Sequence, residues 1–108
     1  MEQSSKTLTF VVPAYNMETY LERCVESLLS ATDNSDIEVL IVDDGSSDGT
    51  PELADMYERR WPGNVRAIHQ VNKGHGGAVN TGIANATGMY VKVVDADDWV
   101  DIDRKSVV

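Results

Sequence analysis

The sequence predicts an α/β fold: a Rossmann-like parallel sheet of strand order 3-2-1-4 with flanking helices. Three observations lead there. Apolar strand-like runs alternate with segments of helical periodicity, and such alternation implies a parallel sheet with right-handed crossovers. The run Ile37–Val42 is almost unbroken in apolar character, as a strand buried on both faces requires. Two buried-type runs, Glu38–Val42 and Tyr90–Val94, lead straight into acidic residues, Asp43-Asp44 and Asp95-Ala-Asp97-Asp98. In open sheets of this kind the C-terminal strand edge is where ligands bind.

Thr7–Val12 reads as the first strand, stopped by Pro13. Leu21, Val25, Leu28 and Leu29 then share one helical face, which predicts a helix over about Met17–Ala31. After the second strand, Asp48-Gly-Thr-Pro51 supplies a cap and an early proline for a helix reaching about Arg60. Trp61-Pro-Gly-Asn64 breaks that helix, and Val65–Val71 is the third strand. Ala78, Gly82, Ile83 and Ala86 mark one face of a third helix, whose small residues let it lie close to the sheet. Thr87-Gly88 turns the chain into the fourth strand, Met89–Val94. The strand order places the loops after strands one, two and four around one crevice.

At 108 residues the chain is of single-domain size, and it shows no internal repeat, linker or low-complexity segment. A net charge of −9 argues against nucleic acid or an anionic membrane as partner. Eight of the 18 acidic residues, Asp43, Asp44, Asp48, Asp95, Asp97, Asp98, Asp101 and Asp103, lie in two short clusters, so the charge is local. Cys24 is the single cysteine and falls on the apolar face of the first helix, so it reads as a core filler; an internal disulfide and a thiolate metal cage are excluded. The N-terminus has neither a basic region nor a long apolar stretch, and nothing approaches the roughly 20 apolar residues of a membrane span. A cytoplasmic location is expected, with any contact to the inner membrane face made through parts not in this chain. The sequon at Asn85-Ala-Thr87 is then without consequence.

Four segments carry candidate chemistry. Pro13-Ala14-Tyr15-Asn16 leaves the first strand, and a tyrosine there can stack on a planar ring beside the free N–H groups of a helix start; a plain turn with a surface tyrosine is the alternative. Asp44, in Asp43-Asp-Gly45-Ser, can accept from a ribose diol or a base N–H, and Gly45 lets the backbone approach a ligand closely; the alternative is a simple turn, the role that suits Asp48. Asn72-Lys73-Gly74-His75-Gly-Gly77 opens a helix and can cradle phosphate, with Lys73 or His75 adding positive charge, or can be a merely permissive loop. Asp95 and Asp97 alternate as they leave a strand and can aim two carboxylates to one side, suiting Mg²⁺ or Mn²⁺ that also binds a diphosphate. A solvated acidic turn is the alternative. An EF-hand is excluded, since the central glycine is missing and Ser106 stands in the place of the closing glutamate.

Together these segments resemble the nucleotide-sugar-binding half of a family 2 glycosyltransferase with the GT-A fold. The resemblance rests on Phe10-Val-Val-Pro-Ala-Tyr-Asn16, Ile41-Val-Asp-Asp-Gly-Ser-Ser-Asp-Gly-Thr50, Asn72-Lys-Gly74 with Asn80-Thr-Gly-Ile83, and Val94-Asp-Ala-Asp-Asp98, and it covers about Thr7 to Asp103. It implies a metal-dependent inverting transferase, working with Mn²⁺ or Mg²⁺, that moves a sugar from a nucleotide-diphosphate donor, UDP foremost, to a glycan or lipid-linked acceptor. By the same resemblance Pro13, Tyr15 and Asp44 hold base and ribose. Asp95 lies near ribose and sugar, Asp97 binds the metal, and Ala14, Asn16, Lys73, Gly74 and Ala96 belong to the donor site.

Two departures stand out. Ile102 occupies a position where many relatives have proline, and the chain stops at Val108, before the family's acceptor-binding half and general base. Residues 1–108 are therefore expected to be the nucleotide-sugar-binding part of a truncated GT-A domain, with no catalytic base of their own and no transfer activity in isolation. A non-catalytic nucleotide-sugar-binding module is the main alternative. A receiver-like Mg²⁺-binding signalling domain would need its acid pair after the first strand, and a nicotinamide-binding domain would need glycines where Pro13-Ala-Tyr-Asn16 stands.

Overall fold

The structure, a computed structural model, describes residues 6–30, 36–97, 100–101 and 106–107. Its elements run β1 (Leu8–Ala14), α1 (Glu18–Ser30), β2 (Ile37–Asp44), α2 (Thr50–Arg60), β3 (Val65–Gln70), α3 (Gly74–Asn85), β4 (Tyr90–Val93), β5 (Val100–Asp101) and β6 (Ser106–Val107). The four main strands form one parallel sheet of order β3-β2-β1-β4, as expected from the sequence. A short antiparallel β5–β6 pair follows, which the sequence did not signal.

Alternation of side chains along the central strands creates two cores. Phe10, Val12, Val39 and Ile41 pack with Leu21, Cys24, Val25 and Leu28 of α1 and with Ala54 and Tyr57 of α2. Val11, Leu40 and Val42 form the other face, with Ala78 of α3 against them. Cys24 is fully buried, as its place on the apolar face predicts. Tyr57 is also fully buried and donates its hydroxyl to Glu26 Oε2 at 3.0 Å, joining α2 to α1. Burial, reinforced by that carboxylate, pushes the phenol far above its ordinary range.

Gly82 shows why the third helix needs small residues: a Cβ there would collide with Val11. The rest of the expected face does not hold. Ile83 is 50% exposed and Ala86 lies past the end of α3, whose buried residues are Ala78 and Gly82.

Two strands run further than expected. β1 continues through Pro13 to Ala14, paired with β2 up to Ala14↔Asp43. Val11 offers its carbonyl to Val94 on the β4 side, so Pro13, two residues on, faces the same side. The β1–β4 ladder ends at Val11↔Val93, and the missing proline N–H therefore costs no ladder bond. β2 likewise extends through both acids, with Asp43 opposite His69 and Asp44 opposite Gln70.

The apolar run of β4 is not buried. All four of its residues are exposed: β4 is one of the two edge strands among the described residues, and α3 packs mainly on β1 and β2. Glu38 is the converse surprise, a buried acid at the opposite end of β2. Burial opposes its ionisation, but bonds from Thr87 N, Arg66, Thr9 and Thr87 Oγ1 outweigh that and hold its carboxyl below the ordinary value.

Candidate functional site

Every strand of a parallel sheet points the same way, so the loops leaving β1, β2 and β4 and the start of α3 gather at one edge. There they enclose a cavity of about 350 Å³. Pro13, Ala14 and Tyr15 wall it from β1, Asp44 from β2, Gly74 from the start of α3, and Asp95, Ala96 and Asp97 from the segment after β4. Tyr15 is 50% exposed, leaving its ring open to stack. Met17, Asn72, His75 and Ala78 also line the cavity. Asn72 and His75 lie in the glycine-rich loop singled out from sequence, whereas nothing in the sequence marked Met17.

Two of the expected site residues stand apart from this wall. Asn16 has a positive φ of 53°, a conformation asparagine tolerates, and its side chain accepts from Ser47 N at 2.8 Å while its own amide donates to Ser46 Oγ at 3.0 Å. Asn16 thus ties the β1 loop to the β2 loop. Lys73 does not line the cavity, but its backbone N–H donates to Asp44 Oδ1 at 2.8 Å.

The two loops are also joined by an exchange of caps. Asp48 Oδ2 accepts from Glu18 N at 3.1 Å at the start of α1, and Glu18 Oε1 accepts from Gly49 N at 2.9 Å at the start of α2. Asp48 Oδ1 takes Thr50 N as well, which is the bland capping role the sequence assigned. Burial opposes ionisation of Asp48, yet the bonds from Thr50 and from the amide of Glu18 together outweigh it and keep its carboxyl below the usual value.

At the cavity floor Asp44 is 2% exposed. Gln70 Nε2 and Lys73 N both donate to its Oδ1, each at 2.8 Å. Oδ2 receives no hydrogen bond from the described residues and is the oxygen left to accept from a ligand. Gly45 turns at φ 77°, and a Cβ there would sit 2.8 Å from Asn72 N. The close approach that needs this glycine is therefore to the chain's own Asn72, which donates Nδ2 to the Asp44 carbonyl at 3.0 Å.

Asp43, beside it, points away from the cavity wall. Its Oδ1 accepts from Ser46 N at 3.0 Å and its Oδ2 lies 2.8 Å from His69 Nδ1. His69 Nε2 is in turn 2.8 Å from Asp55 Oδ1 of α2. The hydrogen bonds to Asp43 and Asp55 raise the His69 pKa above the ordinary 6.5, against a smaller opposing effect of burial. Sequence reasoning passed over His69. Its signal was positional, a histidine whose parallel register sets it opposite the first acid of the β2 pair.

The other acidic segment is open. Asp95 and Asp97 are exposed, and the carboxylate of Asp95 meets His75 Nε2 at 2.8 Å across the cavity mouth. Cys24 Sγ reaches the Asp95 carbonyl at 3.7 Å and anchors this segment to the core. Asp98, Ile102 and Asp103, like Ala31 at the expected end of the first helix, lie outside the described residues. Among the described residues no group of three or more His, Cys, Asp or Glu could by itself hold a metal ion. Two accessible carboxylates on one short segment nonetheless fit a hard cation of the Mg²⁺ type, which takes one or two protein carboxylates and completes its shell with water and substrate phosphate.

No described helix is long and apolar enough to cross a membrane. Comparison with known proteins places this geometry. A glycosyltransferase of Bacillus subtilis, EpsJ, is 45% identical over 93 residues, covering 86% of this chain and 26% of its own. The structure of S. aureus TarS 1–349 in complex with UDP superposes with a TM-score of 0.79 at 30% identity, over 89% of this chain and 29% of that one. The mannosyltransferase PcManGT of Pyrobaculum calidifontis, in complex with GDP-Man and Mn²⁺, gives 0.78 at 28% identity over 90% and 29%. The chain thus spans under a third of the length of these relatives. Its fold is that of the GT-A glycosyltransferases, and the sequence profile described as Glycosyl transferase family 2 matches residues 9–108. This chain belongs to glycosyl transferase family 2.

Proposed function

We propose that the cavity binds a nucleoside-diphosphate sugar, UDP-linked in our reading, and that the whole protein transfers that sugar with inversion to a glycan or lipid-linked acceptor. The observation that supports this most is the convergence of Tyr15, Asp44, the start of α3 and the Asp95–Asp97 segment on one cavity. In this reading residues 1–108 are the donor-binding part. The complexes of TarS with UDP and PcManGT with GDP-Man favour the same class of ligand.

Each residue then has a definable task. Tyr15 offers a ring face to the base, and Asp44 Oδ2 accepts from a base N–H or a ribose hydroxyl. The start of α3 lines the cavity; the Gly74 amide is taken by Asn72 Oδ1, and the amides of His75, Gly76 and Gly77 suit a phosphate oxygen. Asp97, with Asp95 beside it, would hold Mn²⁺ or Mg²⁺. When bound, that ion supplies positive charge against which a leaving diphosphate is stabilised. The base that deprotonates the acceptor hydroxyl we assign to residues outside this chain, so the chain alone binds donor without glycosylating an acceptor. A cytoplasmic location, with any membrane contact made elsewhere in the protein, belongs to the same reading.

Calorimetry with UDP, with and without Mn²⁺, tests it. Binding should be strengthened by the metal, and Asp97→Asn should remove that gain while leaving the metal-free affinity. Equal or absent binding in both conditions would sink the proposal.

A further inference from the structure

We infer that His69 is a positioning residue for the nucleotide loop: clamped between Asp43 and Asp55, its ring holds Asp43, and through Asp43 the Asp44–Ser46 turn at the cavity floor. The inference deepens the donor-site reading and rests on it for its functional consequence. Its structural basis is separate.

The geometry favours the charged state of the ring. His69 lies on β3 in register with Asp43 of β2, and α2 brings Asp55 to the other side. Both ring nitrogens are 2.8 Å from a carboxylate oxygen. A neutral imidazole has only one N–H, so it would turn a lone pair towards one of the two carboxylates. The imidazolium donates to both. Asp43 and Asp55 are the charged groups that face the ring, and both favour its charged form.

The clamp reaches the cavity by a chain of bonds. The Asp43 side chain is 5% exposed, and its second oxygen accepts from Ser46 N. Ser46 Oγ accepts from Asn16 N, next to Tyr15 on the cavity wall. Asp43 also adjoins Asp44 in the backbone. A positive ring at His69 therefore offsets the charge of the Asp43–Asp44 pair, just where a negatively charged nucleotide must settle. Without that charge the buried carboxylate keeps at most one N–H from the ring and loses its counter-ion. Asp55, with 47% of its side chain exposed, can turn to water instead.

The test uses nuclear magnetic resonance and calorimetry on wild type and on Asp55→Asn, a change on α2 outside the cavity wall. In the free protein, the Ser46 amide should titrate with the same midpoint as the His69 ring. Asp55→Asn should lower both midpoints together, because it removes one of the two negative charges that favour the imidazolium. UDP-GlcNAc serves as ligand, since both of its phosphates are esterified and its charge is constant below the range in which the uracil N3–H ionises. Its affinity should fall roughly fivefold between about pH 6 and about pH 8, the low end of typical site coupling. The midpoint of that fall should move down in Asp55→Asn. His75, the other histidine, bonds Asp95 and not Asp55, so this variant separates the two.

A Ser46 amide that ignores the His69 titration overturns the inference. So does an affinity profile that stays in place while Asp55→Asn moves the His69 midpoint. Failure of UDP-GlcNAc to bind at any pH would instead sink the donor-site reading, and the amide titration would still decide whether His69 positions the turn.

Discussion

At the end of β2, Asp43 and Asp44 are 3% and 2% exposed, and every hydrogen bond they accept comes from a group built into the fold. At the end of β4, the Asp95 side chain is 50% exposed, Asp97 is also open to solvent, and His75 is the single side-chain partner of Asp95 among the described residues. In the sequence the two clusters look alike, each an acidic step after an apolar strand. The difference teaches how an α/β fold handles crowded carboxylates. A central strand buries its acids and must supply their donors from neighbours in register, here β3 and the start of α3. An edge strand leaves its acids in water, where they are free to meet an incoming cation.

The comparison can be broken most directly at Asp43. Asp43→Ala removes the acceptor of a buried amide and the partner of a charged ring, and should destabilise the protein by about 2–4 kcal/mol in urea unfolding. A loss under about 0.5 kcal/mol would mean that the β2 cluster is no more structural than the β4 one.

Asp44→Asn sharpens the contrast within the β2 pair. Its amide oxygen can keep the bonds from Gln70 and Lys73, while an NH₂ replaces the oxygen left for a ligand. UDP binding should weaken roughly tenfold, about 1.4 kcal/mol, with or without metal. Isothermal calorimetry measures it, and an unchanged affinity would remove Asp44 from the donor site.

The His69 clamp gives the β2 cluster a pH signature. Its folded pKa is raised, so the stability it contributes is fully present below about pH 6.5 and is lost as pH rises through the folded value. Because ring and Asp55 are substantially exposed and screened, the loss should stay below about 1 kcal/mol. Thermal unfolding across that range should show a small decline that His69→Ala abolishes.

The smallest effect on stability belongs to the β4 cluster. Asp97→Ala should leave the unfolding free energy within about 0.5 kcal/mol, as for an ordinary surface residue, while the response of UDP binding to Mn²⁺ disappears. A large stability loss there would show that the open cluster has structural partners after all.

Much of the fold was legible without coordinates. The alternation of periods separated strands from helices, and Ile37–Val42 announced a central strand by its unbroken apolar character. The same reasoning failed at Tyr90–Val93, where apolar composition predicts burial but edge position decides exposure, while Val94, the last residue of the run, is buried. Pro13 was read as a stop on a rule that holds for a strand paired on both sides; beyond the last β4 rung that rule has no force. Residue type and place single out Tyr15, Asp44, Gly74, Asp95 and Asp97, and all of them line the cavity. Asn16 and Lys73 do not line the cavity: the Asn16 side chain accepts from Ser47 N, and the Lys73 backbone N–H donates to Asp44.

The sequence by itself determined the order of elements, the parallel sheet, and which loops carry polar groups to its C-terminal edge, because these follow from local periodicity and the handedness of crossovers. Tertiary structure alone decided who partners whom. His69 meets Asp43 because two parallel strands align in one register, and Glu18 and Asp48 exchange caps because two helices start side by side. Such bonds join residues far apart in the chain with distance tolerances of a few tenths of an ångström. Residue type and local spacing carry no information at that scale, so the division between buried, internally neutralised acids and open ones appears only when the strands are in place.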